Sequence, residues 1–168
     1  MIYFLTEQRI KDFSTVLGNV DIKLIAPLIP TSADLFIKPR TGSYFFNHLL
    51  TKYNSQTLNT DEEELVSLIQ ESLLWRAVSE VVLTSSAQIT NKGPQTQNGL
   101  NSASADITRI GMLTKHYGAK AEFYDQRIIN FIWTNKDKFP EFTNKLNMDC
   151  QADLYPSKST PYNGMYFI

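Results

Sequence analysis

Cysteine is almost missing from this chain: it occurs once, at Cys150. That excludes a disulfide framework and a cysteine-built zinc site. Histidine occurs only at His48 and His116, too far apart in sequence to suggest a metal centre. No metal or other cofactor is therefore expected. An excess of one charge is also missing. Sixteen basic residues stand against seventeen acidic ones, a formal net charge of -1. With no dense Lys/Arg run, bulk electrostatic binding of nucleic acid is not indicated. No apolar run approaches the ~20 residues of a membrane span, so no membrane partner is expected. The opening MIYFLTEQRIKDF lacks the basic and apolar regions of a signal peptide. These features predict synthesis and folding in a reducing cytoplasm. The phosphate-cradling, dinucleotide-binding, nucleophile-elbow and zinc-protease motifs are all absent. No catalytic, cofactor-binding or metal residue is assigned, and an enzyme is the least favoured class.

What is present suits one globular domain. The chain has 168 residues, of which 42% are hydrophobic, enough to bury ~70% of the unfolded surface. The organising stretch is 60–86, TDEEELVSLIQESLLWRAVSEVVLTSS. Thr60 and Glu63 have capping-box spacing, and Asp61, Glu62 and Glu63 place negative charge at the positive end of a helix. At 100° per residue, Leu65, Val66, Leu68, Ile69 and Leu73 share one side. Leu74, Ala77, Val78, Val81 and Val82 share roughly the other, with Trp75 beside them. A helix that needs cover on two sides is central. Arg76 and Glu80 form an i, i+4 pair on its polar strip, read as structural.

Before this helix, residues 1–5 suggest an extended arm, and Thr6 caps a short helix that docks through Ile10 and Phe13. Residues 20–39 have helical spacing but contain Pro27 and Pro30. A bend is expected at 26–31 with a restart at Thr31 or Ser32, and Pro39 and Gly42 end the element. Residues 43–53 read as a helix with Phe45, Phe46, Leu49 and Leu50 inward, and His48 as a structural or surface residue. After the central helix, residues 85–105 are polar and too long for a minimal connection. Gln88, Ile89 and Thr90 before Asn91, Lys92 and Gly93 suggest a small hairpin arm, with a plain loop as the alternative.

Residues 104–137 read as the longest helix. Ile110, Leu113, Tyr117, Ala121, Tyr124, Ile128 and Phe131/Ile132 form its inner stripe. Gly111 and Gly118 at the edge of that stripe suggest close approach of another helix, since each costs ~1 kcal/mol against alanine. A second stripe, Met112, His116, Ala119 and Phe123, is read as an intersubunit surface, with a further helix of the same chain as the alternative. Residues 141–168 lose periodicity and end in Tyr162, Asn163, Gly164, Met165, Tyr166, Phe167 and Ile168. Such an apolar end should dock, on its own body or on a neighbour, and an extended segment can add to a partner's sheet edge. The expectation is that the chain leaves the bundle after Pro140 and binds elsewhere. The fold class that follows is all-α: an elongated helical bundle with two long helices, a protruding loop or hairpin arm, and an extended C-terminal tail. The bundle spans 1–140 with the arm 87–103 inserted, and the tail spans 141–168. The candidate interaction residues are Ile89, Thr90, Asn91, Lys92, Gly93, Met112, Phe123, Tyr162, Met165, Tyr166, Phe167 and Ile168.

Several segments together carry a resemblance: LTEQRIKDF, NVDIKLIAPLIPTSADLFIKPRTGS, ITNKG, KAEFYDQRIINFI, and DLYP followed by NGMYFI. They resemble the head-to-tail connector, or adaptor-ring, proteins of tailed bacteriophages that infect Bacteroidetes, the crAss-like phages among them. The resemblance covers most of the chain, and its motifs are structural rather than catalytic. It implies a helical bundle assembled as a ring, usually dodecameric, in the virion neck. Such a ring seats on the portal protein, meets the next connector or tail ring, and passes DNA only as cargo. The alternative is a DNA-packaging helical protein such as a small terminase subunit. The near-neutral charge and the lack of a basic recognition helix favour the first.

Overall fold

The structure, a computed structural model, describes residues 3–13, 22–90, 93–96 and 107–144. These are mostly helical. The elements in order are α1 (Glu7–Phe13), α2 (Ile22–Ile25), α3 (Leu28–Ser32), a π-helical turn Ala33–Ile37, α4 (Lys38–Thr41), α5 (Ser43–Ser55), α6 (Thr60–Ser86), β1 (Ala87–Thr90), β2 (Gly93–Thr96) and α7 (Ile107–Thr134). A 3-10 turn, Lys136–Lys138, closes the described helices.

The central helix has the expected boundaries, and both of its sides are covered. Leu65, Ile69, Leu73, Leu74, Ala77 and Val78 are all buried, against α7 along one side and against α2 and α3 on the other. Its cap differs from expectation. The box is formed one residue earlier: the Glu62 N–H donates to Asn59 Oδ1 at 2.8 Å, and the Asn59 N–H donates to Glu62 Oε2 at 2.9 Å. Asn is as good a cap as Thr. Glu62 then lies buried while Glu63 faces solvent, which selects this register.

The bend expected at 26–31 is present, but the restart and the second role of proline differ from expectation. The chain turns at Ala26–Pro27 and restarts at Leu28, before Thr31, so Pro30 falls in the first turn of α3. The first-turn N–H groups have no intrahelical acceptor, so proline there forfeits nothing. Pro39 does not end the element. It follows the wider π-helical turn and is carried in the first turn of α4. The wider turn eases the clash between a proline ring and the preceding turn's carbonyl. The stop comes at Gly42, with φ 82 and ψ 145, a backbone conformation only glycine adopts readily.

Helix α5 buries Phe45, Phe46 and Leu49 as expected. It ends on Gln56 in the left-handed conformation, where the N–H groups of Gln56 and Thr57 return to Tyr53 O and Lys52 O at 3.2 and 3.0 Å. That is a Schellman closure. At the other end, Thr6 Oγ1 accepts from the Arg9 N–H at 3.2 Å, the expected cap of α1. Residues 3–5 are not an extended arm. Tyr3 has a positive φ of 50, and Phe4 and Leu5 are buried in the core. Phe4 meets Phe46 and Tyr53 edge-on at 5.2 and 5.4 Å, and Gln70 Nε2 donates to the Phe4 carbonyl at 2.8 Å.

β1 and β2 pair antiparallel, with Ala87 opposite Thr96 and Thr90 opposite Gly93. α7 runs antiparallel to α6. Its inner stripe is Tyr117, Ala121, Ile128 and Ile132, joined by Asp125. Leu113, expected in that stripe, is instead 37% exposed. A Cβ built at Gly111 or at Gly118 has nothing within 4 Å, so among the described residues no helix approaches closely there. Through Asn144, where the described residues end, the chain also stays with the bundle past Pro140; the rest of the expected tail, 145–168, lies outside the described residues. Phe139 and Phe142 are buried, and Phe142 packs on Phe45 and Trp133 at 5.9 and 6.0 Å between ring centres.

Candidate functional site

With α6 sandwiched, the inner face of α7 is used up and its outer face has no cover among the described residues. The expected second stripe lies there. Met112 is 66% and Phe123 60% exposed, and His116 and Ala119 between them are also exposed. Burial of side chains of this size is worth ~1.5–3 kcal/mol each, so two in water on one helix face mark a surface able to gain by contact.

The stripe borders a groove of about 490 Å³ between α6 and α7, lined by Trp75, His116, Ala119, Lys120, Phe123 and Tyr124. Trp75 from α6 stacks on Tyr117 from α7, with ring planes 9° apart and centres 5.9 Å apart. Lys120 Nζ lies 4.0 Å from the centre of the Trp75 ring, a cation–π geometry. The groove is thus an aromatic floor with cationic and imidazole groups at its rim. Around it, Arg109, Lys115 and Arg127 face solvent with Glu122, so this side of α7 is locally basic in a nearly neutral chain.

Two polar clusters lie inside the bundle, and sequence spacing identified neither. In the first, Asp125 is fully buried. Ser72 Oγ donates to its Oδ1 at 2.5 Å, and Arg76 Nη2 donates to its Oδ2 at 2.7 Å. Arg40 Nη2 is 3.4 Å from the same oxygen and also donates from Nη1 to the Phe36 carbonyl. The Arg76 guanidinium lies over the Phe36 ring at 3.8 Å. Arg76 therefore pairs across the bundle rather than with Glu80. The cluster ties α4, α6 and α7 together and offers no open face to a substrate.

In the second cluster, Lys52 Nζ donates to Glu62 Oε1 at 2.7 Å. His48 Nε2 sits 3.5 Å from Glu141 and 3.9 Å from Glu62 without making a hydrogen bond. Lys138 meets Asp61 at 2.7 Å. His48 thus bridges α5, the start of α6 and the segment after α7. No group of acidic, histidine or cysteine side chains able to hold a metal ion occurs among the described residues. No described helix is long and apolar enough to cross a membrane.

The candidate interaction residues that the structure describes fall on separate elements. Met112 and Phe123 share the outer face of α7. Ile89, Thr90 and Gly93 belong to the paired strands, with Asn91 and Lys92 outside the described residues. Tyr162, Met165, Tyr166, Phe167 and Ile168 also lie outside them. The groove partner Trp75, which the sequence places only beside the apolar residues of α6, carries no local signal of this role, because its exposure depends on which side of α6 the other helices leave open.

Comparison with curated proteins and with solved structures returned no match. A family model covering residues 37–152, more than two thirds of the chain, does match. Its span runs from the last residue of the π-helical turn through α5, α6, the strands and α7, and so includes the groove and the charged groups of both polar clusters. The chain belongs to this family, DUF6712, a family of unknown function.

Proposed function

We propose that this chain is a virion structural protein without catalytic activity, a subunit of a head-to-tail connector ring in the neck between capsid and tail. The observation that carries the reading is the uncovered outer face of α7. Met112 and Phe123 stand in water on a body whose central helix already has cover on both sides. A subunit with neighbours has a use for such a face, and a ring needs one patch of each copy to meet a different patch of the next. The sequence resemblance supplies the setting. The ring, dodecameric on that likeness, seats on the portal protein, abuts the next connector or tail ring, and passes DNA as cargo. The arm 87–103 and the apolar residues 162–168 serve as contact elements beyond the subunit's own core. Electron microscopy and light scattering of the purified protein test the reading: closed rings are expected, and a monodisperse monomer at high concentration would count against it.

A second reading, a DNA-packaging helical protein such as a small terminase subunit, draws on the basic side of α7, where Arg109, Lys115 and Arg127 are exposed. A DNA gel shift at increasing salt discriminates the two. Binding that weakens steeply with salt supports the packaging protein, and none at low salt supports the connector.

A further inference from the structure

We propose that Phe123 of one copy seats in a pocket on the far side of α6 in the next copy, with Arg127 beside it paired to Glu63 at the pocket rim. The inference rests on the ring reading and names the second half of its contact. The pocket has a volume of about 260 Å³ and lies between the end of α5 and the first turns of α6. Tyr53, Leu58 and Val66 give it apolar walls. Its amide is already engaged: Gln70 Nε2 donates to the Phe4 carbonyl at 2.8 Å and to the Tyr53 hydroxyl at 3.3 Å. Sites for small-molecule ligands run ~300–1,000 Å³ and need polar groups free to orient the ligand, so this pocket suits a single large side chain. A protruding apolar group on one copy and a recess elsewhere on the next make a heterologous contact.

Position and charge select this pairing. Ser72 and Ser79 of α6 face α7, donating to Asp125 at 2.5 Å and to the Thr114 carbonyl at 3.1 Å. Glu63 precedes Ser72, and Gln70 precedes Ser79, by about two and a half helical turns. The pocket therefore opens on the side of α6 turned away from α7. Phe123 stands exposed on the side of α7 turned away from α6. Patch and pocket thus lie on opposite sides of the bundle, so the same contact can repeat from copy to copy. Pairing two α7 outer faces would instead bring Arg109, Lys115 and Arg127 of each copy together against Glu122, a like-charge contact. Glu63 and Glu64 are exposed and have no ion-pair partner among the described residues, whereas Asp61 and Glu62 are taken by Lys138 and Lys52. Arg127 follows Phe123 by about one helical turn, and its guanidinium lies 5.9 Å from the centre of that ring. A seated Phe123 therefore carries Arg127 to the acidic rim.

The test uses the full chain with the photoreactive p-benzoylphenylalanine in place of Phe123, an exposed position. Nitrogen-15-labelled and unlabelled copies are mixed, checked for assembly by light scattering, irradiated and mapped by mass spectrometry. The expected result is cross-links between copies, from position 123 into residues 53–70. Rings whose cross-links from 123 fall elsewhere, or that give none, would overturn the pocket contact and leave the connector reading standing. A monomer at every concentration would overturn both. A second measurement keeps Phe123. Arg127→Glu and Glu63→Arg should each weaken association by at least ~10-fold in sedimentation velocity, with circular dichroism reading the fold of each variant. The chain carrying both exchanges should recover most of the loss, and a double variant that associates no better than the singles would refute the pairing.

Discussion

Replacing Asp125 with alanine is the sharpest test of how this bundle is held together. The Asp125 side chain is 1% exposed and that of Arg76 13%, so water can replace little of what is lost. The wild-type carboxylate accepts from Ser72 and Arg76 and lies 3.4 Å from Arg40. Its removal leaves two guanidinium groups facing a cavity with no counter-charge. Breaking a buried ion pair from one side costs about 3–5 kcal/mol. For a chain of this size that lowers Tm by ~6–20 °C. Urea unfolding followed by circular dichroism, at one fixed protein concentration because association would add stability, measures the loss directly. A double-mutant cycle with Arg76→Met separates the pair from the cavity. Removing both partners leaves one fewer unpaired charge, so the double variant should be less destabilised than the sum of the singles by ~0.5–3 kcal/mol. An Asp125→Ala variant within about 1 kcal/mol of the wild type, with additive singles, would show that the cluster does not couple the three helices.

Four further outcomes are expected. Phe123→Glu should leave the far-ultraviolet spectrum and Tm of the subunit unchanged and reduce assembly in light scattering; unfolding would instead place Phe123 in the core. On the proposed connector reading, exchanging 87–103 for a short Gly/Ser linker should leave Tm almost unchanged while virion assembly stops at the head-to-tail joint, whereas normal assembly would make the arm passive. Asn59→Ala should lose about 1 kcal/mol in denaturant titration, and Thr60→Ala much less, because Asn59 carries the cap. Phe142→Ala should cost about 3 kcal/mol; a negligible loss would mean that the body ends at Pro140 after all.

Elements whose signals are local were legible in the order of residues alone. The range of α6, its two-sided burial, the inward residues of α5 and the Thr6 cap all follow from periodicity or spacing within a few residues. Dihedral preference and side-chain period act at that distance. Cap register was less legible, because Asn59 with Glu62 and Thr60 with Glu63 have the same spacing. Burial of Glu62 beside Lys52 chose between them. Which helices meet, and at what rotation, is set by packing across the bundle. Arg76 has an acidic residue four positions on, yet it pairs with Asp125, 49 residues away. Local spacing cannot register a partner on another helix, and a buried carboxylate outcompetes an exposed one for the same guanidinium. The open space beside Gly111 and Gly118, the π-helical turn ahead of Pro39 and the groove at Trp75 have the same origin. Each depends on where a second element lies, and a one-dimensional pattern carries the period of a helix but not the position of its neighbours.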